Sequence, residues 1–245
     1  MDSESVAVRE VAATAKAYWE QAHPPLAHIS YNNSQLHSEG ALVQRWDRSW
    51  LKRWLAMGVT LQGKRVGDYG IGGGLLGQVL CQRYAIGSYF GFDVAERSIT
   101  AARTRIAKVP ACHAEYHDVS GGLVSLMEWN LDVLISQQVI QHFPSRNYTL
   151  AWFVSLERSS IPRVLLEVRH SDKPVFSDWA LQPGASSRMS LSTVKHTWQR
   201  VAHAVEINCK WISARLPSYH LDDAWRTTSS FEACAFTHIK GSHRG

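Results

Sequence analysis

The sequence predicts one doubly wound, mostly parallel α/β domain with an N-terminal helical cap. Three observations carry this. From Lys64 onward, short apolar runs alternate with helix-patterned segments, the arrangement that yields a parallel sheet joined by right-handed crossovers. A glycine-dense stretch from Val66 to Gly77 falls where the first strand ends and a helix begins, the place where such sheets bind ligands. The first sixty residues read as helical.

Val6 to Glu20 is rich in Ala, Glu and Val and predicts a helix ending near His23-Pro24-Pro25, because proline cannot continue it. After polar Ser30–Ser34, the residues Val43, Trp46, Trp50, Trp54 and Met57 recur at spacings of three and four. That is the apolar stripe of an amphipathic helix, expected to pack on the domain behind it. Strands are predicted at Arg65–Tyr69, Gly87–Phe92, Ala111–His117, Leu131–Ser136 and Arg163–His170. Helices are predicted near Leu75–Tyr84, Ala95–Lys108, Gly122–Glu128 and Arg146–Ser159. In the second of these, Ile99, Ala102 and Ile106 share one face and Arg97, Arg103 and Arg105 fall largely off it. Beyond Pro183 come another helix, about Ser190–Ala204, and two strand-like stretches, Val205–Ser213 and Phe231–Ile239. No boundary divides the chain, so 1–60 is expected as a cap on the 61–245 core within one domain.

The chain has 245 residues, 45% of them hydrophobic, 19% charged and 10% aromatic. This excludes a disordered, collagen-like or low-complexity protein. A formal charge of +5 is mildly basic, and Arg45, Arg48 and Arg53 alternate with acids in no dense run, as on a solvated face. Cys81, Cys112, Cys209 and Cys234 lie far apart without a CxxC pair, so reduced thiols are expected rather than a disulfide framework or a zinc cluster. The start, Met1-Asp2-Ser3-Glu4-Ser5, lacks the basic region of a secretory leader. No apolar run approaches the ~18 residues of a membrane span. The expected location is the cytoplasm.

The glycine stretch fits two ligand classes. Gly72-x-Gly74-x-x-Gly77 is the dinucleotide fingerprint, which sets a pyrophosphate on a helix N-terminus. Asp68-x-Gly70-x-Gly72-x-Gly74 resembles the nucleotide loop of class I S-adenosyl-L-methionine (SAM)-dependent methyltransferases of the small-molecule type. The second register is preferred because Asp68, next to the loop, would repel a pyrophosphate and attract an ammonium. Asp93, nineteen residues past Gly74, ends the second strand, where a carboxylate can accept both hydroxyls of a ribose in either class. Asp118 ends the third strand, where the family usually presents an acid to the adenine amino group. The segment Gln137-Gln138-Val139-Ile140-Gln141-His142-Phe143-Pro144 after the fourth strand is similar to the family's post-strand segment.

The resemblance implies a seven-stranded sheet with an antiparallel last strand, Phe231–Ile239. It implies SAM as cofactor, held by Asp68, Gly70, Gly72 and Gly74 at the methionine end. Asp93 and Val94 would face the ribose, Asp118 and Val119 the adenine, with Gln137 beside them. A hydroxyl acceptor benefits from a base, and histidine suits neutral pH. Of twelve histidines, His142 and His170 follow strands four and five, and Glu167 could orient a base. Tyr18, Trp19, Tyr31, His37, Arg169, Phe176 and Trp179 are candidates to line an acceptor pocket.

Several acceptors are disfavoured by absent motifs. There is no Asn/Asp-Pro-Pro-Tyr/Phe for exocyclic amines of nucleic acids, no Pro-Cys pair for pyrimidine C6, no cysteine trio for arsenite, and no Asp-Asn pair on strand five for magnesium-dependent catechol chemistry. The expected activity is metal-independent O-methylation of a small molecule or glycan, compatible with a homodimer and with neither a membrane nor a nucleic-acid partner. The alternatives are an RNA-modifying methyltransferase, an NAD-linked oxidoreductase, for which no Tyr-x-x-x-Lys pair is apparent, and a catalytically silent SAM-binding scaffold.

Overall fold

The computed structural model describes residues 3–22, 59–109, 112–119, 126–137, 139–159, 161–169 and 231–237. Its elements are α1 (Ser3–Ala22), β1 (Arg65–Tyr69), α2 (Leu75–Arg83), β2 (Ser88–Asp93), α3 (Glu96–Ile106), β3 (Ala114–Asp118), β4 (Val133–Gln137), α4 (Arg146–Arg158), β5 (Arg163–Arg169) and β6 (Phe231–Thr237). Short 3-10 turns occupy Leu126–Trp129 and Ile140–His142.

The strands form one sheet in the order β3-β2-β1-β4-β5-β6. The first five pair in parallel, and β6 runs antiparallel to β5, with Phe231 opposite Arg169 and Thr237 opposite Arg163. Every residue of β2, Ser-Tyr-Phe-Gly-Phe-Asp, is buried, as expected of a parallel strand covered on both faces. One face packs Tyr69, Phe92, Leu134, Trp152, Phe153 and Leu156 into a core that also takes Ala12 of α1. The other packs Val66, Leu80, Tyr89, Ile99, Ile106, Val133 and Ile135. Helix α4 starts where the Ser145 hydroxyl accepts the Tyr148 N–H at 3.1 Å, an N-cap worth about 1 kcal/mol.

The strand order reverses around β1, whose neighbours are β2 and β4. Crossovers leaving on opposite sides open a crevice at the carboxyl ends of these strands. The predicted strands and helices between Lys64 and Arg169 fall within three residues of the observed ones, except Gly122–Glu128. There the described part, Leu126–Trp129, is a 3-10 turn, ended by Asn130 at φ +44°. The tryptophan-bearing helix over 43–57, the helix over 190–204 and the strand over 205–213 lie outside the described residues.

One expectation is overturned. Cys81 and Cys112 form a disulfide, with Cα atoms 5.6 Å apart. The sequence offers no spacing signal because the pairing is tertiary. Cys81, in the last turn of α2, and Cys112, just before β3, both lie at the edge of the sheet opposite the crevice. Among the described residues no helix is long and apolar enough to cross a membrane.

Candidate functional site

The glycine turn after β1 is built by three left-handed residues, Gly70 (φ +84°), Gly72 (φ +49°) and Gly74 (φ +75°). They serve different purposes. A Cβ on Gly70 would lie 2.3 Å from a methyl of Val139, and one on Gly74 2.5 Å from the Cα of Ala102. These two glycines let β4's exit and α3 pack against the turn. Among the described residues a Cβ on Gly72 would meet nothing within 4 Å, so its freedom is kept for backbone geometry. Gly74 is also the N-cap of α2 and makes no side-chain cap hydrogen bond, which leaves helix-terminal N–H groups for another acceptor.

Two carboxylates flank this turn. Asp68, on β1, is buried, and its Oδ2 accepts the Tyr89 hydroxyl at 2.9 Å. Burial pushes its pKa up to about 7; the Tyr89 hydrogen bond opposes this and the Asp93 charge adds to it. Asp93, at the end of β2, accepts the Gly72 N–H at 3.0 Å on Oδ2 and the Ala95 N–H at 2.9 Å on Oδ1. Burial lifts it to about 6 against the pull of the Ala95, Gly72 and Val94 amides, and the Glu20 charge lifts it further. Asp93 thus ties the turn to β2 and to Ala95, the residue from which α3 starts. With these amides bound, the carboxylate keeps a lone pair for a ligand hydroxyl.

Asp118 stands beside Asp93 in strand register. It is half-exposed and accepts from Lys16 Nζ of α1 at 3.2 Å. The following Val119 is buried and donates its N–H to the Asp93 carbonyl at 2.9 Å. Helix α1 makes two more contacts along this edge. The Glu20 carboxylate accepts the Glu96 N–H at the start of α3, while Arg97 Nη1 donates to the Glu20 carbonyl at 2.7 Å. The Trp19 ring meets His142 edge-on at 5.1 Å, with Tyr18 edge-on to Trp19 at 5.2 Å.

Parallel strands, a reversal at β1, a glycine turn into the first crossover helix and acids closing β2 and β3 define a known architecture. Solved structures agree. Magnesium protoporphyrin IX methyltransferase from Synechocystis PCC 6803, with S-adenosylhomocysteine bound, superposes with a TM-score of 0.59 at 14% identity, covering 91% of this chain and 98% of that one. A SAM-dependent methyltransferase from Leishmania major gives a TM-score of 0.60 at 13% identity over 93% of this chain and 83% of the other. This is the class I SAM-dependent methyltransferase fold. In sequence, a ubiquinone biosynthesis O-methyltransferase from Leptothrix cholodnii is 31% identical over 85 residues, which is 34% of this chain and 35% of the relative. No protein-family model matches the chain.

At the ligand crevice of the methyltransferase fold the structure gathers Asp68, Gly70, Gly72, Gly74, Asp93 and Val119. Val94 packs on the aromatic core, and Gln137 ends β4. His142 closes the 3-10 turn after β4, its Nε2 3.5 Å from the Gln141 side-chain amide nitrogen. Tyr18 reaches this edge through Trp19. Arg169 ends β5. Tyr31, His37, His170, Phe176 and Trp179 lie outside the described residues.

Sequence reasoning missed Lys16, Glu20, Tyr89 and the arginines of α3. Arg97 holds α1, Arg103 stacks 5.4 Å from the Tyr116 ring centroid, and Arg105 reaches the glycine turn. The available signal was three arginines on the helix that follows Asp93. The His117 ring lies 3.8 Å from Trp129 between centroids, and burial lowers its pKa, with Glu115 opposing.

Proposed function

We propose that this chain is a SAM-dependent methyltransferase that methylates a hydroxyl of a small molecule or sugar without a metal. The observation that carries the cofactor is the buried pair Asp68 and Asp93 beside the glycine turn. Among the described residues their hydrogen-bond partners are a phenol and backbone amides, and burying uncompensated carboxylates is costly. A ligand bearing an ammonium and a sulfonium relieves that cost, whereas a pyrophosphate aggravates it. The residues described fit such a group: among them nothing meets a Cβ at Gly72, no side chain of the N-cap residue Gly74 caps α2, and a lone pair remains on Asp93. The O-methyltransferase relative supports a hydroxyl acceptor.

The cofactor supplies a methyl already activated as a sulfonium substituent. The protein's task is alignment, which can be worth roughly 7–11 kcal/mol. Asp68, Gly70, Gly72 and Gly74 would hold the methionine end, Asp93 and Val94 the ribose, Asp118 and Val119 the adenine, with Gln137 at the end of β4. His142 would take the acceptor's hydroxyl proton on a ring nitrogen, with His170 as the other candidate. Tyr18, Tyr31, His37, Arg169 and Trp179 would line the acceptor pocket, with 1–60 as the cap over the 61–245 core. Val205–Ser213 would add the seventh strand, and the last strand would be the antiparallel one. A small-molecule or glycan acceptor, a cytoplasmic location and a homodimer complete the proposal.

Calorimetric titration with S-adenosylhomocysteine, and with NAD in parallel, tests the cofactor. Micromolar binding of the first and none of the second is expected; NAD binding alone would overturn the assignment. Methyl transfer from labelled SAM across a panel of phenols, sugars and RNA tests the acceptor. Label in RNA alone would refute the small-molecule reading, and binding without turnover on any acceptor would point to a scaffold.

A further inference from the structure

We propose that Arg105 is a positioning residue for the glycine turn and thereby sets cofactor affinity. Arg105 stands in the last turn of α3 and is half-buried. Its Nε donates to the Gly73 carbonyl at 2.8 Å and its Nη1 to Gln78 Oε1 at 3.1 Å. Gly73 is the residue between the two left-handed glycines, and the Gly73–Gly74 peptide is held at both ends. Its carbonyl accepts from Arg105, and its N–H donates to the Ile71 carbonyl at 2.9 Å. Two peptide units earlier, the Gly72 N–H donates to Asp93.

Glycines alone cannot select this geometry, since they populate both signs of φ about equally. The orientation of the Gly73–Gly74 peptide decides where the first amides of α2 point, and Gln78 extends the same guanidinium grip into that helix. A planar fork holds its donors in a fixed, spread geometry that reaches both acceptors, whereas an ammonium is a compact point charge on a flexible stem. Gly74 also sits against Ala102, one turn earlier on α3, so α3 holds the turn by packing and by a charge-assisted hydrogen bond.

Resting on the SAM assignment above, Arg105→Ala is expected to raise KM for SAM and Kd for S-adenosylhomocysteine about tenfold, with kcat within about twofold. Arg105→Lys, which keeps the positive charge and a hydrogen-bond donor group without the fork, is expected to recover most of the affinity, and it replaces the alanine variant if that one does not fold. Hydrogen exchange of residues 72–76 in the ligand-free protein should quicken in Arg105→Ala relative to wild type, a readout independent of what the ligand is. Unchanged KM, unchanged Kd and unchanged exchange would overturn the inference. A loss of kcat and thermal stability without a KM shift would reduce Arg105 to a helix-packing role. Failure of the wild-type protein to bind S-adenosylhomocysteine would overturn the SAM assignment instead and leave the exchange measurement to judge Arg105.

Discussion

Asp68 holds a proton in the fold that it would release in the unfolded chain, because its pKa rises from 3.8 to about 7. The native state therefore binds more protons than the unfolded state between about pH 4 and pH 7, and stability falls as pH rises through that window. Asp68→Asn, which can still accept from Tyr89, removes this term. The variant should gain on wild type between pH 4.5 and pH 8 by on the order of 3 kcal/mol or less, measured by urea denaturation; a constant gap would contradict the buried carboxyl. The glycines separate by a different test. Gly74→Ala must displace the backbone of α3 at Ala102 and should cost about 2–4 kcal/mol, from overpacking plus left-handed strain. Gly72→Ala meets nothing within 4 Å among the described residues and should cost only about 1–2 kcal/mol, while losing affinity for S-adenosylhomocysteine. Equal stability losses would remove the distinction.

Between Lys64 and Arg169 the elements were legible because period and punctuation agree: strand segments of five to seven residues, the first running into a glycine turn and the second and third ending in an acid. Asp93 was legible as a strand-ending acid, but its engagement with the Gly72 amide was not, since that needs the turn's three-dimensional path. Arg105 falls off the apolar face in the sequence pattern, and periodicity cannot tell a solvated arginine from one that curls back to a carbonyl. The Cys81–Cys112 bridge was invisible for the same reason. Closing a loop of 31 residues should stabilise by about 3–4 kcal/mol. Denaturant midpoints with and without reductant, with a Cys81→Ser/Cys112→Ser variant insensitive to it, check this value. Helix α1 is held by lighter contacts. The Lys16–Asp118 pair has side chains 38% and 47% exposed, so it is worth about 0–1 kcal/mol. Lys16→Ala should leave the melting temperature nearly unchanged and, by releasing Asp118, tighten S-adenosylhomocysteine binding by up to about fivefold; weaker binding would show that Lys16 helps to hold the ligand.

Across the described residues, two apolar layers sandwich a sheet whose central strand carries a buried acid, and on the proposed function the charge state of that acid would couple binding to pH. If the cationic cofactor selects ionised Asp68 and Asp93, with pKa values of about 7 and about 6, affinity should climb as pH rises from 5 to 8. Protons should be released on binding, read from calorimetry in buffers of different ionisation enthalpy. In Asp68→Asn most of that dependence should vanish, and a wild-type affinity flat with pH would detach these acids from the ligand. Helix α3 has a further consequence at this scale. One end of it grips α1 through Arg97 and Glu20, and the other grips the glycine turn through Arg105. A rod clasped at both ends makes the two clasps partners in one equilibrium, and such exchange is symmetric. Whatever free energy a ligand at the turn lends to the docking of α1, the docking of α1 returns in full to the ligand.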